Sequence, residues 1–249
     1  MPATARADAP GVASGAGILG LLEPIYAAAV RLRGALYDRG WIAAHRLGVP
    51  VISVGNLSAG GSGKSPMVAL VAGHLARAGF RPAVISRGYG GRHAGPATVV
   101  SSGSGPLVGA DVAGDEPVML ARMLPELPIV VAHRRRGGGA LAIARLGARC
   151  LVLDDGFQHR SLARDLDLVL LDARQGFGNG RLLPAGPLRE PPSALSRAGA
   201  LILTRCDRAV PAAVEALAAA AVRHSPGSEL FHARSKPVGL VDAASGVAT

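Results

Sequence analysis

The stretch Val51-Ile-Ser-Val-Gly-Asn-Leu-Ser-Ala-Gly-Gly-Ser-Gly-Lys-Ser65 constrains this chain more than any other. A β-branched apolar run ends in a glycine-rich turn, and a lysine and a hydroxyl residue then open a helical pattern. The pattern predicts a strand, a phosphate-binding loop and a helix. Glycines let successive backbone N–H groups curl around a polyphosphate, and a helix N-terminus adds partial positive charge. Ser58, Ala59, Gly60, Gly61, Ser62 and Gly63 then form the cradle, with Lys64 reaching the β- and γ-phosphates. The Ser65 hydroxyl helps to hold Mg²⁺, so ATP with Mg²⁺ is the expected cofactor pair. The loop is a variant, because Ser58 stands where the usual pattern carries its first glycine. The chain has only two lysines, Lys64 and Lys236, among many arginines. Lysine is kept at Lys64, where a compact, flexible ammonium suits phosphate better than a planar fork. A flexible Gly/Ser linker is the competing interpretation, and the flanking strand and helix patterns argue against it.

At 249 residues, with 49% hydrophobic and 18% charged content, the chain can bury a real core and is not disordered. Its net charge of +10 suits a polyanionic partner: nucleotide, nucleic acid or an anionic membrane surface. Aromatic content of 3% supplies no stacking platform for single-stranded nucleic acid, so no nucleic-acid partner is expected. Arginine and alanine richness also follows from a high-GC genome, which halves the weight of the charge. Cys150 and Cys206 lie in apolar runs and are expected as buried thiols, and no Cys or His cluster suggests zinc.

Residues 1–17 are expected as a disordered leader; they lack the basic and long apolar regions of a signal peptide. Over residues 18–47 an amphipathic helix is expected. Ile18, Leu21, Leu22, Ile25, Ala29, Leu32 and Leu36 fall at helical spacings, and Glu23 and Pro24 interrupt an apolar run too short to cross a bilayer. Arg31, Arg33, Arg39, Tyr26, Tyr37 and Trp41 fit a helix lying in a membrane interface. A helix packed on its own domain fits the same segment equally well.

Beyond the loop, Met67 to Ala78 reads as helix, and Pro82 to Ser86 as a strand entering a turn with Arg87, Tyr89 and Arg92. Asp115 and Glu116 open a helix, where capping and dipole compensation explain them without invoking chemistry. The run Arg134 to Arg136 is either a solvated face or an anion site. A strand from Cys150 ends at Asp154 and Asp155, which a Mg²⁺ site beside a phosphate loop requires. A long Gly/Pro-rich loop, Gly176 to Pro191, carries Asn179, Arg181, Arg189 and Glu190, and such loops are functional or disordered. Strands alternating with helices over residues 48–235 predict an α/β, doubly wound, mostly parallel sheet of the P-loop NTPase type.

Taken together, Val54-Gly-Asn-Leu…Gly-Gly-Ser-Gly-Lys-Ser-Pro66, Ser86-Arg-Gly-Tyr-Gly-Gly91, Gly114-Asp-Glu-Pro117, Asp154-Asp-Gly-Phe-Gln-His159 and Gly176 to Pro191 resemble the tetraacyldisaccharide 4'-kinase (lipid A 4'-kinase) family. The resemblance runs from about Leu22 to the end. It implies transfer of the ATP γ-phosphoryl group to the 4'-hydroxyl of tetraacyldisaccharide 1-phosphate, giving lipid IV-A. It implies a peripheral enzyme at the membrane surface on the cytoplasmic face of the bacterial inner membrane, and favours the interfacial role for the first helix. It assigns Asp115 as catalytic base beside Lys64, and Ser65, Glu116, Asp154 and Asp155 to the metal. Asn56, Arg87, Tyr89, His159, Arg189 and Glu190 become substrate contacts. Arg87, Arg92 or Arg134 to Arg136 are candidates for the acceptor's 1-phosphate. The family's further domain, with a Gly-Ile-Gly turn and a downstream Asp-His-His, finds no match here. Residues 236–249 are therefore expected as a linker strand of a C-terminally truncated chain that binds ATP without efficient turnover.

Two rivals remain. Thr204-Arg-Cys-Asp207 faintly echoes a guanine-reading motif, as in a P-loop GTPase or metallochaperone-type NTPase, though arginine replaces its lysine. The other is a truncated nucleotide-binding remnant without activity.

Overall fold

Strands buried on both faces should read as nearly unbroken apolar runs, and β2 (Pro82–Ser86), β5 (Cys150–Asp154) and β7 (Ala200–Thr204) do so, while β1 (Val51–Asn56) is buried but carries Ser53, Gly55 and Asn56. The computed structural model describes residues 15–234 except residue 94, together with Lys236, and their side chains from Gly20 onward. The remaining elements are α1 (Gly15–Asp38), α2 (Lys64–Arg77), β3 (Thr98–Ser102), α3 (Ala110–Ala113), α4 (Asp115–Met123), β4 (Pro128–Val131), α5 (Arg135–Leu146), β6 (Leu166–Asp172), α6 (Pro211–His224) and β8 (Glu229–His232).

The eight strands form one sheet in the order β3-β4-β2-β5-β1-β6-β7-β8. Only β3 runs antiparallel, against β4. Side chains alternate between the two faces. Val54, Val84, Val152 and Ile202 pack with Val68 and Ala72 of α2 and Leu120 of α4. On the other face Ile85, Leu151 and Leu153 meet Ala142 of α5, while Leu171, Leu201 and Leu203 meet Val214 and Leu217 of α6. The sheet is doubly wound, as the alternation of elements predicts. β1 lies between β5 and β6. The loop leaving β1 is therefore flanked by the ends of both, at the carboxyl edge where such sheets bind ligands.

One glycine is required by this packing. A Cβ at Gly55 would lie 2.6 Å from Phe157 Cβ, so only glycine lets the turn after β5 close over β1.

The first helix differs from the expected limits of 18–47. α1 begins at Gly15 and stops at Asp38, where Gly40 turns left-handed (φ 72) and Trp41 N–H bonds back to the Leu36 carbonyl. It runs through Pro24 without breaking. Residues 1–14 of the expected leader and residues 237–249 of the expected linker strand lie outside the described residues.

α1 docks through a small apolar contact of Ala27 and Tyr26 with the core, surrounded by directed polar contacts. Glu23 pairs with Arg181 at 2.6 Å and accepts the Leu182 N–H, Tyr26 Oη donates to the Arg189 carbonyl, and Arg33 donates to the Gln158 carbonyl. Arg160 reaches back to the Gly34 carbonyl and to Asp38. The apolar stripe faces outward instead: Leu21 is 75%, Ile25 68% and Leu32 62% exposed.

Candidate active site

The glycine-rich turn wraps directly into α2. Gly63 takes a left-handed backbone (φ 84) at the cap of the helix, a conformation that costs glycine little. Gly60 to Ser65 form one wall of a cleft of about 820 Å³. This lies within the usual size range for small-ligand sites. Ser58 and Ala59 sit apart from that wall, paired with Leu188 and the Pro187 carbonyl of the long loop.

Lys64 Nζ lies 3.1 Å from Asn56 Oδ1 and 3.7 Å from Asp155 Oδ1. Asn56 is fully buried, and its amide also donates to the Ser58 carbonyl. It therefore holds the lysine and the loop rather than lining the cleft, unlike the expected substrate contact. Asp155, on a left-handed backbone (φ 52), is clamped by Arg189 at 2.7 Å. Burial alone would raise its pKa, but Lys64 and Arg189 together hold it below the usual carboxylate value.

Asp154 behaves in the opposite way. It is buried, with Ser86 Oγ donating to it at 2.8 Å. Burial first, and then the charges of Glu116 and Asp155, raise its pKa. A carboxylate in this setting gains from a nearby cation. Mg²⁺ travelling with a nucleotide keeps several waters and takes only one or two carboxylates. Among the described residues no cluster of three or more His, Cys, Asp or Glu is arranged to hold a metal by itself. The donor set therefore fits a nucleotide-borne Mg²⁺ better than a resident metal. Asp155 Oδ1 and the Ser62 hydroxyl are buried without a hydrogen-bond partner, which leaves two oxygens for such a complex.

Asp115 and Glu116 open α4 and reach the same cleft. Two glycines explain their placement. At Gly114 (φ 87) a Cβ would collide with the Tyr89 carbonyl, and at Gly91 one would lie 2.5 Å from the Gly114 nitrogen. The turn bearing Arg87 and Tyr89 is thus locked to the turn that presents Asp115. These two motifs are distant in sequence and joined by backbone contact.

Arg87, Tyr89, His159, Arg189 and Glu190 also line the cleft. Glu190 is buried and bound to Arg197 at 2.5 Å. Burial, and then the charges of Arg135 and Arg87, lower the His159 pKa to about 4, which keeps the imidazole neutral at pH 7. Of the arginine run, Arg135 is buried and donates to the Ala132 and Asp154 carbonyls, while Arg134 and Arg136 are exposed. Its pKa is lowered by burial to about 10, so it remains cationic. Arg92 does not line the cleft.

Sequence patterns missed four participants. Gln158 donates to the Asn56 carbonyl, Ser86 holds Asp154, and Tyr26 and Arg33 bring α1 into the cleft wall. Each signal was a single polar residue in an element read for other reasons. Cys150 is buried as expected; Cys206 is only half-buried and outside the cleft.

Residues 16–247 match the family model described as LpxK, tetraacyldisaccharide-1-P 4'-kinase. The tetraacyldisaccharide 4'-kinase of Anaeromyxobacter dehalogenans (strain 2CP-C) is 53% identical over 94% of this chain and 61% of its own length. That of Geobacter metallireducens is 51% identical over 79% of this chain and 58% of its own. The crystal structure of LpxK from Aquifex aeolicus in complex with ATP superposes with a TM-score of 0.72 at 42% identity, covering 77% of this chain and 59% of that one. The chain thus spans about three-fifths of the length of the relatives it matches.

Proposed function

The chain belongs to the tetraacyldisaccharide-1-phosphate 4'-kinase family, and from that premise we propose that its cleft binds MgATP for phosphoryl transfer to the 4'-hydroxyl of tetraacyldisaccharide 1-phosphate. The observation that carries this proposal is convergence: Lys64, Asp115, Asp154 and Asp155 line one cleft beside the glycine turn.

Phosphoryl transfer asks a protein mainly for positioning and charge neutralisation. In the proposed reaction the 4'-oxygen forms a bond to the γ-phosphorus while the bond to the β–γ bridging oxygen breaks. Asp115 accepts the hydroxyl proton, and ADP and lipid IV-A leave. Lys64 neutralises the β- and γ-phosphates once Asp155 and Asn56 release it to them. Ser65, with one or two of the carboxylates Asp154, Asp155 and Glu116, would hold Mg²⁺, which would spread the phosphate charge. Arg189 and Arg87 orient the sugar and its phosphates, with neutral His159 and Tyr89 as hydrogen-bonding partners.

The acceptor is a lipid, and α1 supports a surface location. Leu21, Ile25 and Leu32 face outward along it, and Trp41, just past its end, is also exposed. No helix among the described residues is long and apolar enough to cross a membrane. We read α1 as lying in the interface, at the cytoplasmic face of the inner membrane where ATP is available.

Transfer of ³²P from γ-labelled ATP to tetraacyldisaccharide 1-phosphate in mixed micelles tests this. Product that disappears with Asp115→Asn and Lys64→Ala supports the assignment. Product formation unaffected by Asp115→Asn would remove Asp115 as base, and failure to bind MgATP would remove the kinase.

A further inference from the structure

The β1 loop is gripped from two sides, and the kinase chemistry uses only one of them. On the β5 side stands Asp155, at Lys64. On the other side, Arg205 follows β7 and donates from Nη1 to the Gly61 carbonyl at 2.7 Å. The same guanidinium pairs with Asp172, buried at the end of β6. Thr204, also buried, donates from Oγ1 to the Ser62 carbonyl at 2.9 Å. Asp172 is itself anchored by the Arg174 N–H at 3.0 Å.

Backbone strain marks the same pair of positions. Among the described residues only Asp155 (φ 52) and Arg205 (φ 57) are non-glycine residues with positive φ. Both follow strand ends, and each contacts the loop. Left-handed backbone at such residues persists only where the surroundings hold it, and it concentrates at functional sites. Neither Thr204, Arg205 nor Asp172 lines the cleft. Their effect on a ligand must therefore pass through the loop.

We propose that Thr204 and Arg205, steered by Asp172, are positioning residues that set the phosphate-binding form of the loop. In a trans peptide the N–H of the next residue points opposite to the carbonyl. Pinning the Gly61 and Ser62 carbonyls toward β7 therefore turns the Ser62 and Gly63 N–H groups away from it, preorganised as donors to a polyphosphate. The Asp172 carboxylate cancels the Arg205 charge, so the arginine shapes the loop without competing with Lys64 for the ligand. This inference builds on the MgATP reading and assigns residues to it that lie outside the phosphate-loop motif.

Backbone ¹⁵N relaxation on nucleotide-free protein tests the grip directly, and calorimetric MgATP binding tests its consequence. Arg205→Ala is expected to lower the order parameters at Ser62 and Gly63 from about 0.85 to below about 0.6 and to weaken MgATP by about tenfold. Order parameters in β4 and α5 should stay unchanged. Arg205→Lys keeps a donor and should restore the loop order parameters and bring MgATP affinity to within about threefold of wild type, whereas Asp172→Asn should reproduce part of the loss. Unchanged loop order parameters in Arg205→Ala, or a loss of order spread equally through β4 and α5, overturns the proposal. Wild-type protein that fails to bind MgATP would sink the kinase reading, while the loop order parameters would still decide whether the grip exists.

Discussion

The cleft and the outer face of α1 treat side chains in opposite ways. In the cleft, charge is taken out of water and answered inside the protein: Asp155 by Lys64 and Arg189, Glu190 by Arg197, Asp154 by the Ser86 hydroxyl. On α1, Leu21, Ile25 and Leu32 are left in water, while the helix docks mainly by hydrogen bonds and ion pairs around a small apolar contact of Ala27 and Tyr26. An ordinary surface helix does the reverse and buries its apolar stripe against the core, as α2 does with Val68 and Ala72. Docking of this kind leaves Leu21, Ile25 and Leu32 outward on the same helix whose Tyr26, Val30 and Arg33 line the cleft.

The largest expected effect breaks the comparison on the helix side. Replacing Leu21, Ile25 and Leu32 together by serine removes three exposed apolar groups, each contributing about 1.5 kcal/mol when buried. Partition onto vesicles of phosphatidylethanolamine and phosphatidylglycerol should then fall by about a thousandfold, by sedimentation. MgATP affinity should be unchanged. Equal vesicle binding by the variant would show that the stripe has no membrane role. On the cleft side, Lys64→Ala removes the cation at the centre of the loop. MgATP affinity is expected to drop by about a hundredfold with vesicle binding intact.

A smaller effect measures how dry the cleft is. The folded His159 pKa of about 4 lies below the ordinary value of 6.5. Between those values the unfolded chain binds a proton that the folded chain refuses, so stability falls as pH drops through about 6.5 toward 4. The full shift corresponds to about 3 kcal/mol, and about 1–2 kcal/mol is expected because the ring keeps some solvent contact. Asp154, with its raised pKa, pulls in the other direction but does so equally in a His159→Asn variant. Urea denaturation of the two proteins at pH 7 and pH 4.5 should therefore show wild type losing more. Parallel losses would mean that His159 is freely solvated.

The nucleotide side of this architecture was legible because its signals are local. Glycines, lysine and hydroxyl within Gly60 to Ser65 specify a loop and helix start by backbone geometry alone, and the Asp154 pair marks a strand end in a few residues. What the sequence hid depends on strand order. Insertion of β1 between β5 and β6, with β7 next, brings Arg205 to Gly61 across 144 positions of chain, and no spacing rule anticipates that contact. Thr204-Arg-Cys-Asp207 only faintly echoes a base-reading motif, since arginine replaces its lysine, and that arginine is spent on the loop and on Asp172. Asn56 was misplaced for a related reason. An amide next to a phosphate loop suggests a ligand contact until burial shows both of its ends engaged, by Lys64 and the Ser58 carbonyl. For α1, periodicity marked an apolar stripe but could not tell which face docks, because the docking partners lie more than 120 residues away.

The joint between the two regions gives the smallest and most discriminating measurement. Tyr26 stands on the docked side of α1, and its hydroxyl donates to the carbonyl of Arg189, the residue that clamps Asp155. Burial raises the phenol pKa, which keeps it a donor at any working pH. Tyr26→Phe deletes that one bond and retains the ring, so stability should fall by about 1 kcal/mol in urea denaturation. If α1 only carries the domain to a surface, MgATP affinity will not respond. If helix and cleft form one unit, loosening the Arg189 backbone will relax its grip on Asp155, and MgATP affinity should shift by about twofold to threefold while vesicle partition stays at the wild-type value. A loss of vesicle binding instead would mean that docking and membrane attachment use the same face, contrary to the separation that the exposed Leu21, Ile25 and Leu32 define.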